Sequence, residues 1–250
     1  MSSEALLTLD GVRFGWPGAG ELLQGIDLSL QAGQCHVLLG RSGCGKTSLL
    51  KLAAGLAQPT AGQVRWRGQP VRGPQSGVAL VFQRPTLLDW LSVEDNVLLP
   101  LSLHRRVQAK DREEALHWLD RLGLQGLARR RPTQLSGGQQ SRVAIARAWM
   151  QRPTLLCMDE PFASLDALTR EELQRDLLQV CAEQGTAVLF VTHDLGEAAF
   201  LGDRVSLLQG GRLGHTLQIG EARPRSGHWR DASAFHAACA QLRRALEGQA

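Results

Sequence analysis

A chain of 250 residues, 43% of them hydrophobic, can bury a full core as one large domain or two small ones. Its formal charge of +4 is small, and its basic residues fall in short clusters such as Arg105–Arg106 and Arg129–Arg131, which argues against a nucleic-acid-binding surface. Five cysteines spaced far apart without a C-x-x-C pair support neither a zinc site nor a disulfide framework and suit a reducing compartment, no apolar run approaches the roughly twenty residues of a membrane span, and Met1-Ser2-Ser3-Glu4 lacks the basic start of a signal peptide.

Leu6–Asp10 and Ile26–Leu30 read as strands, separated by the turn-rich Gly15-Trp16-Pro17-Gly18. Trp16 stands where an aromatic ring can stack on a base. Phe14, two residues earlier, shares its face in an extended chain, so packing on the first hairpin is the competing use. Cys35–Leu39 is a short apolar run of the kind that forms a buried strand. It leads into Gly40–Thr47, Gly-Arg-Ser-Gly-Cys-Gly-Lys-Thr, which fits the phosphate-binding pattern G-x-x-x-x-G-K-[ST] between a strand and a helix. Glycines there let backbone N–H groups turn inward, and the helix N-terminus adds its positive dipole end. The cradle comprises Gly40, Arg41, Ser42, Gly43, Cys44, Gly45, Lys46, Thr47 and Ser48, with Lys46 placed to reach the β- and γ-phosphates and Thr47 to offer its hydroxyl to Mg²⁺. The helix from Thr47 to Ala54 stops at Gly55.

Gln63–Arg67 alternates like a half-exposed strand, and Gly68–Gly77 is loop. Val78–Phe82 is apolar and β-branched and is expected to be a central strand, ending at Gln83 on the edge where ligands of open α/β sheets gather. The pattern is helical from Pro85 to Met150. Within it, Val107–Leu122 places Ala115, Leu116, Leu119 and Leu122 on one stripe, and Gly123 closes the helix. Ser136-Gly137-Gly138-Gln139-Gln140 opens a helix that runs through Trp149 and has the composition of a second anion nest.

Thr154–Met158 is a further buried strand that delivers Asp159 and Glu160 side by side. Downstream of a phosphate loop, such a pair is what an NTPase needs, one carboxylate for Mg²⁺ and one to polarise water; an ordinary acidic loop is the alternative. Ser164-Leu165-Asp166 leads into a helix over Ala167–Gln184 with Leu173, Leu177 and Val180 on its apolar face. The strand Ala187–Val191 ends in Thr192-His193-Asp194, which brings His193 to the same edge as Gln83 and Glu160 and within reach of a γ-phosphate. Val205–Gln209 and Arg212–Leu217 flank Gly210-Gly211 as a hairpin, and Phe235, Ala238, Cys239, Leu242 and Leu246 form a helical stripe after Trp229.

Taken in order, these motifs resemble the ATP-binding subunit of an ABC transporter over nearly the whole chain. Gln83 looks like that family's Q-loop, Leu135–Gln139 its signature motif, Leu155–Glu160 its Walker B strand with the catalytic glutamate, Ser164–Asp166 its D-loop and His193 its switch histidine. The resemblance aligns Trp16 with the aromatic residue, often Tyr, that stacks on adenine. It implies an α/β P-loop NTPase cassette with an α/β core, an antiparallel β lobe and a helical lobe. The ATP-binding domain would span 1–220, with the helical lobe inserted at about 86–151, and a C-terminal helical extension 221–250. Glu160, His193 and Gln83 would be catalytic, and Thr47, Gln83 and Asp159 would hold Mg²⁺. Ser136, Gly137, Gly138, Gln139 and Asp166 would bind the ATP of a second copy in a head-to-tail dimer. Transmembrane permease subunits, an extracytoplasmic binding protein reached through them, and a peripheral position on the cytoplasmic face of the membrane complete the implied assembly; no nucleic acid is part of it.

A narrower likeness runs through Gln83–Trp90, with Leu87, Leu88 and Trp90 as a permease-facing surface, and through Leu165–Arg170 and Arg223-Pro224-Arg225. These are similar to the nitrate/sulfonate/taurine importer subunits, which implies import of a small anion. An exporter cassette and a soluble non-transport ABC ATPase are the alternatives. The latter usually carries two cassettes or a coiled-coil insertion, and this chain has neither. A catalytically dead cassette is at odds with Lys46, Asp159, Glu160 and His193 all being present.

Overall fold

The computed structural model describes residues 5–18 and 20–248, so the Met1–Glu4 start lies outside the described residues. In chain order it runs β1 (Leu7–Phe14), β2 (Leu23–Leu30), β3 (Cys35–Leu39), α1 (Lys46–Ala53), β4 (Ala61–Trp66), β5 (Gln69–Pro70) and β6 (Val78–Val81). There follow α2 (Val93–Ser102), α3 (Ala109–Arg121), α4 (Gly137–Trp149), β7 (Leu155–Asp159), α5 (Ala167–Gln184), β8 (Ala187–Thr192) and α6 (Leu195–Leu201). The described chain closes with β9 (Arg204–Gln209), β10 (Arg212–Gln218), a 3₁₀ turn at Gly227–Asp231 and α7 (Ser233–Glu247).

Two sheets divide the strands. Antiparallel β2-β1-β4-β5 is one, and β10-β9-β3-β8-β7-β6 is the other; its β6, β7, β8, β3 and β9 run parallel while β10 returns antiparallel on β9. The central strands β3, β7 and β8 are buried at every position because both faces are covered, and their side chains alternate between two cores. Val37, Leu39, Leu156, Met158, Val188 and Phe190 pack toward α2–α7. Leu38, Leu155, Cys157, Leu189 and Val191 pack toward α1 and the antiparallel sheet.

Three expectations are corrected. Val78–Val81 is an edge strand rather than a central one: Ala79 and Val81 join one core and Val78 and Leu80 lean on the other, so the run is apolar because both faces are packed, not because it has neighbours on both sides. The loop over Gly68–Gly77 contains the short strand β5, paired with the end of β4. On α3 the buried stripe is Ala115, Trp118 and Leu119 with Leu122 just beyond, whereas Leu116 is 41% exposed, since one residue past Ala115 is about 100° around the helix. The other elements start or stop within a few residues of the sequence reading, and β1 and β2 extend further into the first turn. Helix α2 lies within the expected helical stretch, while α6 is an addition to the elements read from the sequence.

The C-terminal segment lies against the core. Trp229, Phe235 and Leu242 are buried in the same cluster as α6, Arg223 pairs with Asp203 at 2.7 Å, and Gln209 donates to the Leu246 carbonyl at 3.1 Å.

Candidate active site

The loop between β3 and α1 meets the C-terminal ends of β6 and β7 around a cavity of about 290 Å³. Its lining takes in Ser42, Gly43, Gly45, Lys46, Thr47 and Ser48 from the loop and helix, Gln83 after β6, and Asp159 and Glu160 at the end of β7. Thus residues 112 positions apart in sequence, Thr47 and Asp159, are brought together by the crossover connections of a parallel sheet, at the strand ends where such sheets form crevices. Gly45 has φ +107 and a Cβ there would lie 2.8 Å from Leu23 Cδ2, so this turn accepts only glycine without strain.

Lys46 is 5% exposed, and its Nζ donates to the carbonyls of Gly40 at 2.7 Å and Arg41 at 3.0 Å, 4.0 Å from Glu160 Oε1. Thr47 Oγ1 donates to Asp159 Oδ2 at 2.7 Å. Burial pushes the Asp159 carboxyl up, while the Thr47 hydroxyl opposes that shift. Glu160 sits in a left-handed conformation, φ +44, its amide donating to the Val191 carbonyl at 3.0 Å. His193 Nδ1 lies 3.0 Å from Glu160 Oε2. A cation, a hydroxyl–carboxylate pair and a second carboxylate therefore surround one space, and His193 meets that second carboxylate from outside the cavity. Burial also raises the Cys44 thiol, which Lys46 opposes.

Trp16 packs on the first hairpin and keeps part of its ring open to solvent. Its ring meets Phe14 edge-on at 4.9 Å, its Nε1 donates to Ser48 Oγ at 3.2 Å, and 42% of the residue is exposed beside the loop. It is not among the lining residues of the cavity.

Ser136, Gly137, Gly138, Gln139 and Asp166 do not line that cavity either. Ser136 caps α4: its Oγ accepts from the Gln139 amide at 3.2 Å, and Gln139 Oε1 accepts from the Ser136 amide at 2.9 Å. This leaves the amides of Gly137 and Gly138, which have no partner within the helix, as the donors of the first turn. Asp166 caps α5 by accepting from the Thr169 amide at 3.0 Å, and that bond holds its carboxyl below the usual range. The two helix starts are in contact. Ser141 Oγ and Ser164 Oγ are 3.0 Å apart, and a Cβ on Gly138 would come within 2.9 Å of Leu165 Cδ2.

Residues that the sequence reading did not single out also reach the site. Leu22 lines the cavity, and Arg170 and Glu197 join Glu160 and His193 around a smaller space of about 90 Å³. Glu197 carried a readable signal, since Asp194-x-x-Glu197 before the apolar Ala198–Leu201 has capping spacing; Asp194 Oδ1 does accept from the Glu197 amide at 2.8 Å. The segment after Gln83 differs from the expected exposed surface. Leu87 packs against the core and Leu88 is half-buried, so Trp90, 71% exposed, is the large apolar side chain presented there.

The sequence profile of the ABC transporter family matches residues 23–163. Among curated proteins the chain is 46% identical over 209 residues to the aliphatic sulfonates import ATP-binding protein SsuB of Pseudomonas putida, an alignment covering 84% of this chain and 75% of that protein. It is 46% identical over 229 residues to the taurine import ATP-binding protein TauB of Chromobacterium violaceum, covering 90% and 86%. With the nitrate import ATP-binding protein NrtD of Synechococcus elongatus it shares 43% identity over 208 residues, covering 81% and 76%. Its fold superposes with a TM-score of 0.79 and 29% identity on the dimeric post-hydrolysis state of the ATP-binding cassette MJ0796 bound to ADP and Pi, covering 86% of this chain and 100% of that one.

Proposed function

The chain belongs to the ABC transporter family as an ATP-binding subunit, an ATPase that energises import, and from that premise we propose that its cargo is a small anion of the aliphatic sulfonate, taurine or nitrate kind. Three relatives at 43–46% identity carry those cargoes in their names. The observation that carries the mechanistic reading is the convergence of Lys46, Thr47, Asp159 and Glu160 on one cavity.

ATP phosphates would lie along Gly40–Ser48, with Lys46 exchanging its carbonyl partners for phosphate oxygens and the N-terminus of α1 facing the charge. Trp16 would stack on adenine. Thr47 Oγ1 and Asp159 Oδ2, with Gln83 on the same cavity, are an all-oxygen donor set that fits Mg²⁺. The bound ion would neutralise charge on the phosphate oxygens. Glu160 would orient and polarise the attacking water, and His193, which is hydrogen-bonded to Glu160, would reach the γ-phosphate.

Ser136, Gly137, Gly138, Gln139 and Asp166 would serve the ATP of a second copy in a head-to-tail dimer, which is supported by their lying off this chain's own cavity and by the dimeric state of MJ0796. The stretch 86–151 would act as a helical lobe inserted in a 1–220 ATP-binding domain, and 221–250 as a C-terminal extension. No helix of the described residues is long and apolar enough to cross a membrane. Permease subunits would supply the spans, docking near Trp90 on the cytoplasmic face, and through them the chain would work with an extracytoplasmic binding protein.

Isolation of the tagged chain from solubilised membranes tests this. A polytopic permease is expected to co-purify, and a Lys46→Ala strain is expected to lose uptake of sulfonate, taurine or nitrate. A tagged chain that hydrolyses ATP yet brings down no membrane protein would overturn the importer assembly. Unchanged uptake of all three anions would overturn the cargo.

A further inference from the structure

Behind the Glu160–His193 pair, a chain of buried hydrogen bonds runs away from the nucleotide cavity toward the C-terminal segment. Thr192 Oγ1 accepts from the Asp194 amide at 3.0 Å and donates to Glu197 Oε2 at 2.5 Å, so one hydroxyl fastens both sides of His193. Gln174 Nε2 donates to Glu197 Oε1 at 3.1 Å. Arg230 in turn donates to Gln174 Oε1, with its guanidinium over the Phe200 ring at 4.0 Å. Arg170 bridges sideways: its Nε is 4.0 Å from Glu197 Oε1, and its Nη2 donates to the Leu165 carbonyl at 2.9 Å. Glu197 is 7% exposed and Gln174 is 1% exposed, and the small space between Glu160, His193, Arg170 and Glu197 adjoins them.

The direction of these bonds is fixed by chemistry. Arginine only donates, so Gln174 must turn its oxygen to Arg230 and its nitrogen to Glu197. The Glu197 carboxylate only accepts, so the Thr192 hydroxyl, which also receives the Asp194 amide, gives its proton to Glu197. Glu197 must accept at both oxygens, which a carboxylate does and an amide cannot. Arg170 adds a positive charge beside it.

We propose that Glu197 is a positioning residue for His193, and that Arg230 of the C-terminal segment holds it in place through Gln174. The proposal rests on the reading of His193 and Glu160 given above. It gives residues 227–231 a role in ATP turnover although they touch no nucleotide motif: displacement of this segment would release Gln174, then Glu197, then the turn that carries His193.

Directionality supplies the test. Glu197→Gln puts an amide nitrogen either against the Gln174 nitrogen, or against the Thr192 oxygen, which accepts it but leaves its own buried proton without an acceptor, and Gln174→Glu leaves Glu197 facing a second carboxylate. Combining them restores a complete chain, in which the carboxylate placed at position 174 accepts from both Arg230 and the new amide at 197 while that amide's oxygen accepts from Thr192. With the purified full-length chain and Mg-ATP, each single change is expected to lower kcat about 5- to 20-fold with KM within about twofold, and the double change to recover to within about twofold of wild type. Arg230→Met, which keeps an apolar stem on Phe200 and removes the donor, is expected to lower kcat at least about threefold. This variant carries the test should either single change fold poorly. A purely structural role would lower the melting temperature and leave turnover per folded chain unchanged. A double variant as slow as the slower single, or wild-type turnover in Arg230→Met, would overturn the proposal. His193→Ala in the same assay separates the layers. A wild-type rate there would remove the role of His193 itself, whereas a large loss there beside wild-type rates for Glu197→Gln and Arg230→Met would remove only the positioning.

Discussion

Glu160 occupies a backbone conformation that an L-residue adopts rarely, and the surroundings hold it there: its amide is tied to β8 through Val191 and its carboxylate lies between Lys46 and His193. Such a conformation costs on the order of 1–3 kcal/mol, which neighbouring structure must offset. The result is a carboxylate aimed across the cavity from the phosphate loop. Glu160→Gln keeps the shape and hydrogen-bonding reach but removes the base, so it is expected to retain ATP affinity within about twofold and to lose turnover on the order of 10²-fold or more. Lys46→Ala, by contrast, is expected to weaken binding itself. Equilibrium titration with steady-state hydrolysis checks both, and wild-type turnover in Glu160→Gln would remove the assigned role. At this scale the sequence is most legible where the chemistry is local. Gly40–Thr47 and Asp159-Glu160 are contiguous, so their spacing is visible without a fold. Glu197, Gln174 and Arg230 are not legible in the same way, because their meaning lies in pairs 23 and 56 residues apart that only packing brings together.

The helix α4 links regions that look separate along the sequence. Its first turn carries Gly137 and Gly138 against the turn before α5, and its last turn carries Arg147. Arg147 donates to the carbonyls of Thr86 and Pro85 at 2.9 Å each and to Thr86 Oγ1 at 3.1 Å, clamping the segment between Gln83 and Trp90. Thr86 has φ +47, so this segment is bent as well as anchored. Burial lowers the Arg147 pKa without removing the charge, and three oxygen acceptors satisfy the guanidinium. Removing a charged donor from such carbonyls costs about 1.5–3 kcal/mol per bond lost. Arg147→Met is therefore expected to speed amide hydrogen exchange over 84–91 at least about tenfold while leaving ATP affinity within about twofold. Unchanged exchange would show that the apolar contacts of Leu87 alone hold the segment. The same element explains why β6 reads as a central strand yet lies at the sheet edge. An apolar β-branched run reports that both faces are covered, here with α4 on one side, and carries no information about how many strands lie beside it.

Over the described residues two turns have the composition of an anion nest, and one chain brings only the first to Asp159 and Glu160. Gly40–Thr47 faces Asp159 and Glu160, whereas Ser136–Gly138 opens α4 away from that cavity and leans on the turn that caps α5. A second such turn lying off its own chain's cavity has a use if it closes over a neighbour's ATP. Mixing two inactive proteins tests this directly. Lys46→Ala lacks the phosphate cation but retains an intact Ser136–Gly138; Ser136→Arg blocks that nest but retains the phosphate loop. In a head-to-tail mixed dimer one interface combines both lesions, and the other joins the intact loop of one protein to the intact nest of its partner. With Glu160→Gln added to both, the repaired interface should trap ATP without hydrolysing it, so that one good site need not sustain turnover. Trapped nucleotide, measured by rapid filtration, is expected to appear in the mixture at no less than about tenfold the level found in either protein alone, because every interface of the unmixed proteins lacks either the Lys46 cation or an open Ser136–Gly138 turn. If each chain closed its own site, every chain in the mixture would still carry one lesion, and mixing would recover nothing.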